Sequence, residues 1–244
     1  MKKANKWPWH QPQGYGELFY RRAIGEDEEM ESSKALCKIL LPFYEKGNKV
    51  ADIACGAGHY LRSLRLRLDE NIDYTGVDAT KNYITYAKKA FPENAEFKFG
   101  YVTELPLEDD SFDIVMCNNL ILHLPPADIQ EAVKELMRTS RKYVVIRTIF
   151  GERNYIIKEV NDTSKGLDDY NYCNMYTEEY LQSIIQSIDS NVDIKVITDD
   201  MWKEGSFDNR DVTTKTGTIA SKEYQHQVSG NLLLDWKFIV ITKS

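Results

Sequence analysis

The chain reads as an α/β protein with a parallel sheet covered by helices on both faces. Three observations carry that reading. Strand-like and helix-like segments alternate from residue 49 to residue 149. The run Phe112–Cys117 is almost continuously apolar, as a strand buried on both faces must be. Finally, a glycine turn, Cys55-Gly56-Ala57-Gly58, joins a short apolar strand to a segment of helical spacing.

Taken in order, Leu36, Ile39, Leu40 and Phe43 recur at spacings of three and four, which predicts a helix over 32–44. A strand at 49–54 leads through the glycine turn into a helix at 58–68. A second strand, 74–77, ends at Asp78 and precedes a helix with Ile84, Ala87 and Phe91 on one side. Strands follow at 96–99 and 112–117, then a helix at 128–139 and a strand at 143–149. Segment 150–175 is polar and aperiodic. Thr177 caps a helix to Ile188, with Glu178 and Glu179 in its first turn. A strand at 192–198, a second insertion at 199–231 and a long last strand at 232–242 complete the chain. Connections this long in a compact domain tend to be lids or binding loops.

With 244 residues, 42% of them hydrophobic, the chain suits one well-buried domain over 1–244, and two full domains would fit poorly. Its formal net charge of −7 argues against a general nucleic-acid binder. No run has the length of a membrane span, and the first residues lack the apolar region of a secretory signal. The expected location is the cytoplasm, where Cys37, Cys55, Cys117 and Cys173, which form no CxxC pair, read as buried thiols. The expected state is a monomer or homodimer.

The turn is the start of the functional argument. A strand before it and a helix after it are the context of a nucleotide site, but Leu61 stands where a third glycine would complete G-x-G-x-x-G. No Gly-Lys-Ser/Thr follows, which excludes a P-loop. Asp52, at the strand's end just before the turn, would repel a pyrophosphate and attract an ammonium group. Asp78 lies 20 residues beyond Gly58, the distance at which a carboxylate reaches a ribose. A ligand with a ribose at one end and a charged amine at the other fits S-adenosylmethionine, whereas a nicotinamide dinucleotide fits by half.

The stretches DIACGAG, GVDAT and ELPLEDDSFDIVMCNNLILHL resemble the class I, Rossmann-like S-adenosylmethionine-dependent methyltransferases. They are most similar to the small-molecule branch that includes ubiquinone and menaquinone biosynthesis. The resemblance covers roughly residues 48–149 and is uninformative about the acceptor. It implies a three-layer sandwich whose seven-stranded sheet is parallel except for its last strand. Residues 1–47 would form an N-terminal helical cover, 48–149 the cofactor-binding core, and 150–244 the rest of the sheet with two substrate-side insertions. Carried over residue by residue, it puts Asp52, Ala54, Gly56 and Gly58 around the methionine portion, Asp78 and Ala79 at the ribose, and Asn118 under the cofactor. The family commonly has Gly-Asp after the third strand, its Asp accepting from the adenine amine. Here Gly100-Tyr101 stands there, leaving Tyr101 and the Val102 backbone as the adenine contacts.

His123 is the catalytic candidate, as a general base or as a residue that only lines the pocket. Methyl transfer draws mainly on orientation, worth ~7–11 kcal/mol, with a base adding 10²–10⁴-fold. Tyr15 and Tyr20 are candidate pocket or lid residues, and His10 with Trp7 and Trp9 either joins such a lid or packs on the sheet. His59 reads as a helix-start residue, His226 as solvent-facing, and Arg62, Arg65 and Arg67 as a solvated surface. Asp109-Asp110 and Asp168-Asp169 lack a third ligand at a recognisable spacing, so no metal is expected. The expected acceptor is a small molecule. Alternatives are a non-catalytic S-adenosylmethionine-binding partner protein, a transferase using a modified S-adenosylmethionine, and a nicotinamide-dependent oxidoreductase.

Overall fold

The computed structural model describes residues 14–160, 164, 170–199, 216–220, 225–229 and 232–243. Trp7, Trp9, His10 and Asp168-Asp169 lie outside them, as do parts of both insertions. Helices α1 (Tyr15–Ile24) and α2 (Glu31–Leu40) precede the first strand, β1 (Lys49–Ile53). Then come α3 (His59–Arg67), β2 (Asp73–Asp78), α4 (Lys81–Ala90), β3 (Glu96–Phe99), β4 (Phe112–Asn118), α5 (Ile129–Thr139) and β5 (Ser140–Phe150). The remainder is β6 (Lys158–Val160), β7 (Tyr170–Tyr172), α6 (Glu178–Ile188), β8 (Asp193–Thr198), β9 (Thr216–Ala220), β10 (Gln225–Ser229) and β11 (Leu232–Thr242).

The sheet runs β3-β2-β1-β4-β5-β11, with β8 on the far side of β11. The pairs among β1 to β5 are parallel. β11 is antiparallel to both neighbours, Thr242 facing Tyr143 of β5 and Asp193 of β8. These are the seven expected strands, with the antiparallel one last in sequence and internal in space. The start of β11 also pairs with β10, and β10 with β9, so the second insertion carries a hairpin that extends the sheet. In the first insertion, β6 and β7 form a separate two-stranded sheet.

Side-chain alternation divides the core in two. Ala51, Ile53, Val115, Cys117, Val144 and Ile146 face α5 and α6 residues such as Leu136 and Ile185. Val50, Ile114, Met116, Val145 and Phe238 face the other way, onto Leu36, Leu40, Leu61, Leu64 and Ile84. Each such side chain, fully withdrawn from water, contributes ~1.5–3 kcal/mol.

Two helices stop earlier than apolar spacing suggests, and proline is the reason. The helix expected to Tyr44 ends at Leu40, because Pro42 lacks an N–H and cannot continue the ladder. Phe43 and Tyr44 instead donate to the Leu40 carbonyl in a closing turn. α4 ends at Ala90, leaving Phe91 outside the helical region, with φ −132° and ψ 76°, ahead of Pro92. No helix among the described residues is long and apolar enough to cross a membrane.

Candidate functional site

The carboxyl ends of β1, β2 and β4 meet at the glycine turn. Ala54, Gly56 and Gly58 all have left-handed backbones, with φ of 65°, 57° and 80°. An alanine there is strained by roughly 1–2 kcal/mol. The turn is held by Ala54 and Cys55 amides donating to the Val77 carbonyl, at 2.8 and 3.1 Å. At Gly58 glycine is required twice over: φ is positive, and a Cβ would lie 3.1 Å from Phe91 and 3.2 Å from Phe97.

Register places the polar side chains on one face. Asp52 is aligned with Gly76 of β2 and with Met116 of β4, so Asp78 and Asn118 stand one pleat farther along that face. Asp78 is buried. Its Oδ2 accepts from the Gly56 amide at 2.9 Å and its Oδ1 from the Thr80 amide at 2.7 Å. Burial raises its pKa above the ordinary carboxylate range, against the pull of those two donors. Asp52 is more deeply enclosed. Tyr74 donates to its Oδ2 at 2.7 Å, while Oδ1 has no hydrogen-bond partner among the described residues. Burial, reinforced by Asp78 and opposed by the Tyr74 bond, pushes Asp52 up to about 8.

Asn118 is also buried, and neither its Oδ1 nor its Nδ2 has a partner among the described residues. An unsatisfied buried polar group costs roughly 1–3 kcal/mol. Two side chains in that condition, beside a turn closed to side chains, form a cradle built for a polar ligand that brings its own donors and acceptors. Ala79 is exposed at the rim. The Gly100 amide donates to the Asp78 carbonyl at 3.1 Å, which brings the turn of Tyr101 and Val102 beside it. Tyr101 meets Phe99 edge to face at 5.5 Å.

Over the turn lies α1, and the residue that reaches it is Phe19. Its ring stacks on His59 at 4.7 Å and meets Tyr83 edge-on at 5.5 Å. A Cβ on Gly56 would be 3.6 Å from it. Tyr15 touches Phe19 edge to face at 5.7 Å, whereas Tyr20 packs on Tyr86 and under Lys89 of α4. Phe19 had a signal in sequence, standing one helical turn after Tyr15. His59 does begin α3, but buried, and burial drives its pKa down to about 3, so the ring is neutral.

Of the three arginines of α3, Arg67 is exposed as expected and Arg62 and Arg65 are half-buried, and all three make specific contacts. Arg62 donates to the carbonyls of Arg22 and Asp27, closing the end of α1. Arg67 forms a two-pronged pair with Glu29 at 2.7 and 2.6 Å, and Arg65 donates to the Asn94 carbonyl. They clamp neighbouring segments onto the helix that follows the glycine turn. Asp109 and Asp110 engage Arg138 and Lys243, at 2.6 and 2.7 Å. All four cysteines are free and buried.

His123 ends a 3-10 turn after β4, and its Nδ1 lies 2.6 Å from the Tyr172 carbonyl of β7. A carbonyl can only accept, so Nδ1 carries the proton and Nε2 the lone pair. Burial lowers the pKa to about 4, against that bond. Asn174, fully buried, pins the same region: it donates to Leu124 O at 2.9 Å, accepts from Ile157 N at 3.1 Å, and its amide donates to Leu122 O at 2.8 Å. Nothing local in sequence marks Asn174, because all its partners are distant in the chain.

Residues 50–142 match a family described as "Methyltransferase domain". The chain is 33% identical over 124 residues to the uncharacterized methyltransferase YcgJ of Bacillus subtilis, covering 49% of this chain and 44% of that protein. It is 28% identical over 159 residues to the ubiquinone/menaquinone biosynthesis C-methyltransferase UbiE of Campylobacter jejuni, covering 64% and 61%. The match thus spans less than two thirds of either relative. A solved S-adenosylmethionine-dependent methyltransferase from Methanosarcina mazei superposes with a TM-score of 0.58 at 16% identity, over 84% of this chain and 96% of that one. That likeness is one of fold.

Proposed function

We propose that this chain, whose residues 50–142 match a methyltransferase domain, transfers a methyl group from S-adenosylmethionine to a small-molecule acceptor. The observation that carries it is that Asp52 Oδ1 and the Asn118 side chain, both buried, have no hydrogen-bond partner among the described residues, beside a turn where Gly58 admits no side chain. When bound, S-adenosylmethionine supplies an electrophilic methyl group on a positively charged sulfur.

Asp52 faces the methionine ammonium, with Ala54, Gly56 and Gly58 giving the close backbone approach. Asp78 turns its remaining lone pairs to the ribose hydroxyls, with Ala79 at the rim. Tyr101 and the Val102 backbone border the adenine, and Asn118 supplies a donor and an acceptor beneath. Phe19 and Tyr15 shield the turn from water. His123 stands on the acceptor side. Its Nδ1 is committed to Tyr172, which orients Nε2 as the atom that takes a proton from an acceptor hydroxyl or amine. A base with so low a pKa works only modestly, so positioning supplies most of the rate.

The direct test is calorimetry with S-adenosylmethionine, its demethylated product and NADH. Micromolar binding of the first two, with none of NADH, is expected. Absence of S-adenosylmethionine binding at millimolar concentration defeats the reading. Once an acceptor is in hand, His123→Gln should lower turnover by about 10²-fold, the low end of a general base's contribution, and leave product affinity within about twofold.

A further inference from the structure

Among the described residues, Arg147 is the largest side chain to be almost wholly buried, at 1% exposure. It lies on β5, directly opposite Asn118 of β4. Its Nε donates to Asp199 Oδ2 at 2.8 Å, and Nη2 lies 2.7 Å from the same oxygen. Nη1 donates to Asn119 Oδ1 at 2.5 Å, while the Arg147 carbonyl accepts the Asn119 amide at 2.9 Å. The guanidinium is seated over the Trp236 ring at 4.0 Å. Asp199 is itself placed by its amide, which donates to the Trp236 carbonyl at 3.1 Å.

A buried ion pair of this kind is not a reason for stability. Desolvating both charges costs several kcal/mol per ion, and well-packed apolar residues of similar volume often serve as well or better. What the pair does that apolar residues cannot is direct a planar fork of donors at a fixed angle. That fork grips Asn119, whose backbone is left-handed at φ 59°. Asn119 is the residue immediately after Asn118, the buried amide without hydrogen-bond partners among the described residues.

We propose that Arg147, held by Asp199 and Trp236, is a positioning residue that fixes the Asn118–Asn119 edge of the cofactor site through its grip on Asn119. The inference rests on the reading of that site as the S-adenosylmethionine pocket. Arg147 touches no reacting atom. Its effect is to hold the Asn118 amide in one orientation before the ligand arrives, so that binding does not have to order it.

The test separates positioning from support of the fold, using S-adenosylhomocysteine as the calorimetric probe and thermal unfolding as the control. Arg147→Met/Asp199→Leu removes both charges together and should keep Tm at or above the parent value. Its dissociation constant should nonetheless rise about tenfold or more. Asn119→Gly provides a second route, since glycine adopts φ 59° freely and the fold is kept while the Arg147 acceptor is lost. A several-fold weaker complex is expected. Asn119→Asp, which keeps an acceptor oxygen and tolerates the left-handed backbone, should restore affinity to within about twofold. If Asn119→Gly, or a folded double variant, binds as tightly as the parent, the positioning role is wrong. An Asn119→Asp complex as weak as that of Asn119→Gly also overturns it. Failure of the parent protein to bind S-adenosylhomocysteine would instead remove the cofactor reading itself.

Discussion

The amino-terminal half of the sheet and the segments that follow β5 are built by different means. In β1, β2 and β4 each functional group stands within a few residues of a strand end, and parallel register lines up Asp52, Asp78 and Asn118. Beyond β5 the ties are long in sequence: Tyr172 to His123, Asn174 to Leu122 and Leu124, Asp199 to Arg147. A site on strand ends inherits its geometry from the sheet. A site on insertions needs individual polar clasps, each of which can be cut separately.

That contrast can be broken most severely in the shared core. Leu36 is fully buried on the face that carries the glycine turn. Leu36→Ala should therefore cost about 2–5 kcal/mol of global stability by urea unfolding. Asp78→Ala comes next. It removes the acceptor of two backbone amides together with the proposed ribose contact, and should weaken product binding by about 1–3 kcal/mol in calorimetry, with a lower Tm. Affinity unchanged in that variant would place Asp78 outside the site. Asn174→Ala leaves the Leu124 carbonyl and the Ile157 amide without their side-chain partner, at a cost of roughly 1–3 kcal/mol. By hydrogen exchange the loss should be confined to residues 155–176 and the His123 turn, with cofactor affinity kept. Global destabilisation would show that the two regions do not behave separately.

A further test is a pH dependence centred on Asp52. Its carboxyl has a pKa near 8 in the ligand-free protein, and pairing with an ammonium requires it to ionise. S-adenosylmethionine affinity should therefore rise with pH towards 8, at most tenfold per unit, and level off above. For stability the sign is opposite to that of a salt-bridged carboxylate. The folded state holds this proton more tightly than the unfolded chain, so ligand-free stability from this group is lost as pH rises from about 4 to about 8. Asp52→Asn should flatten both profiles, and a pH-independent affinity in the parent protein would remove Asp52 from the ammonium site.

The two halves differed as much in legibility. Strand positions, the glycine turn and the Thr177 cap were readable because each depends on residues a few places apart. The cap was found where expected, with Thr177 accepting from the Tyr180 amide. Phe19 was readable in principle, by its helical spacing from Tyr15. The partners of Arg62 and Arg67, the end of α1 and Glu29, were not readable, since they lie more than thirty residues away. The two proline-terminated helices show the converse: apolar spacing ran past the stop, and the backbone chemistry of one residue ended it.

By itself, then, the chain's sequence determined which residues are strand, turn and helix around the site, and that an acid precedes the turn and another ends the next strand. Those are consequences of local sterics, periodicity and charge. The tertiary structure alone decided that Asp52 Oδ1 and the Asn118 side chain lack partners among the described residues, that His123 Nδ1 meets the Tyr172 carbonyl, and that Arg147 joins β5 to Asn119 and Asp199. Each of these depends on which groups meet after the chain has folded. Burial and hydrogen bonding then set their charge state and orientation, and neither is a property of neighbours in sequence.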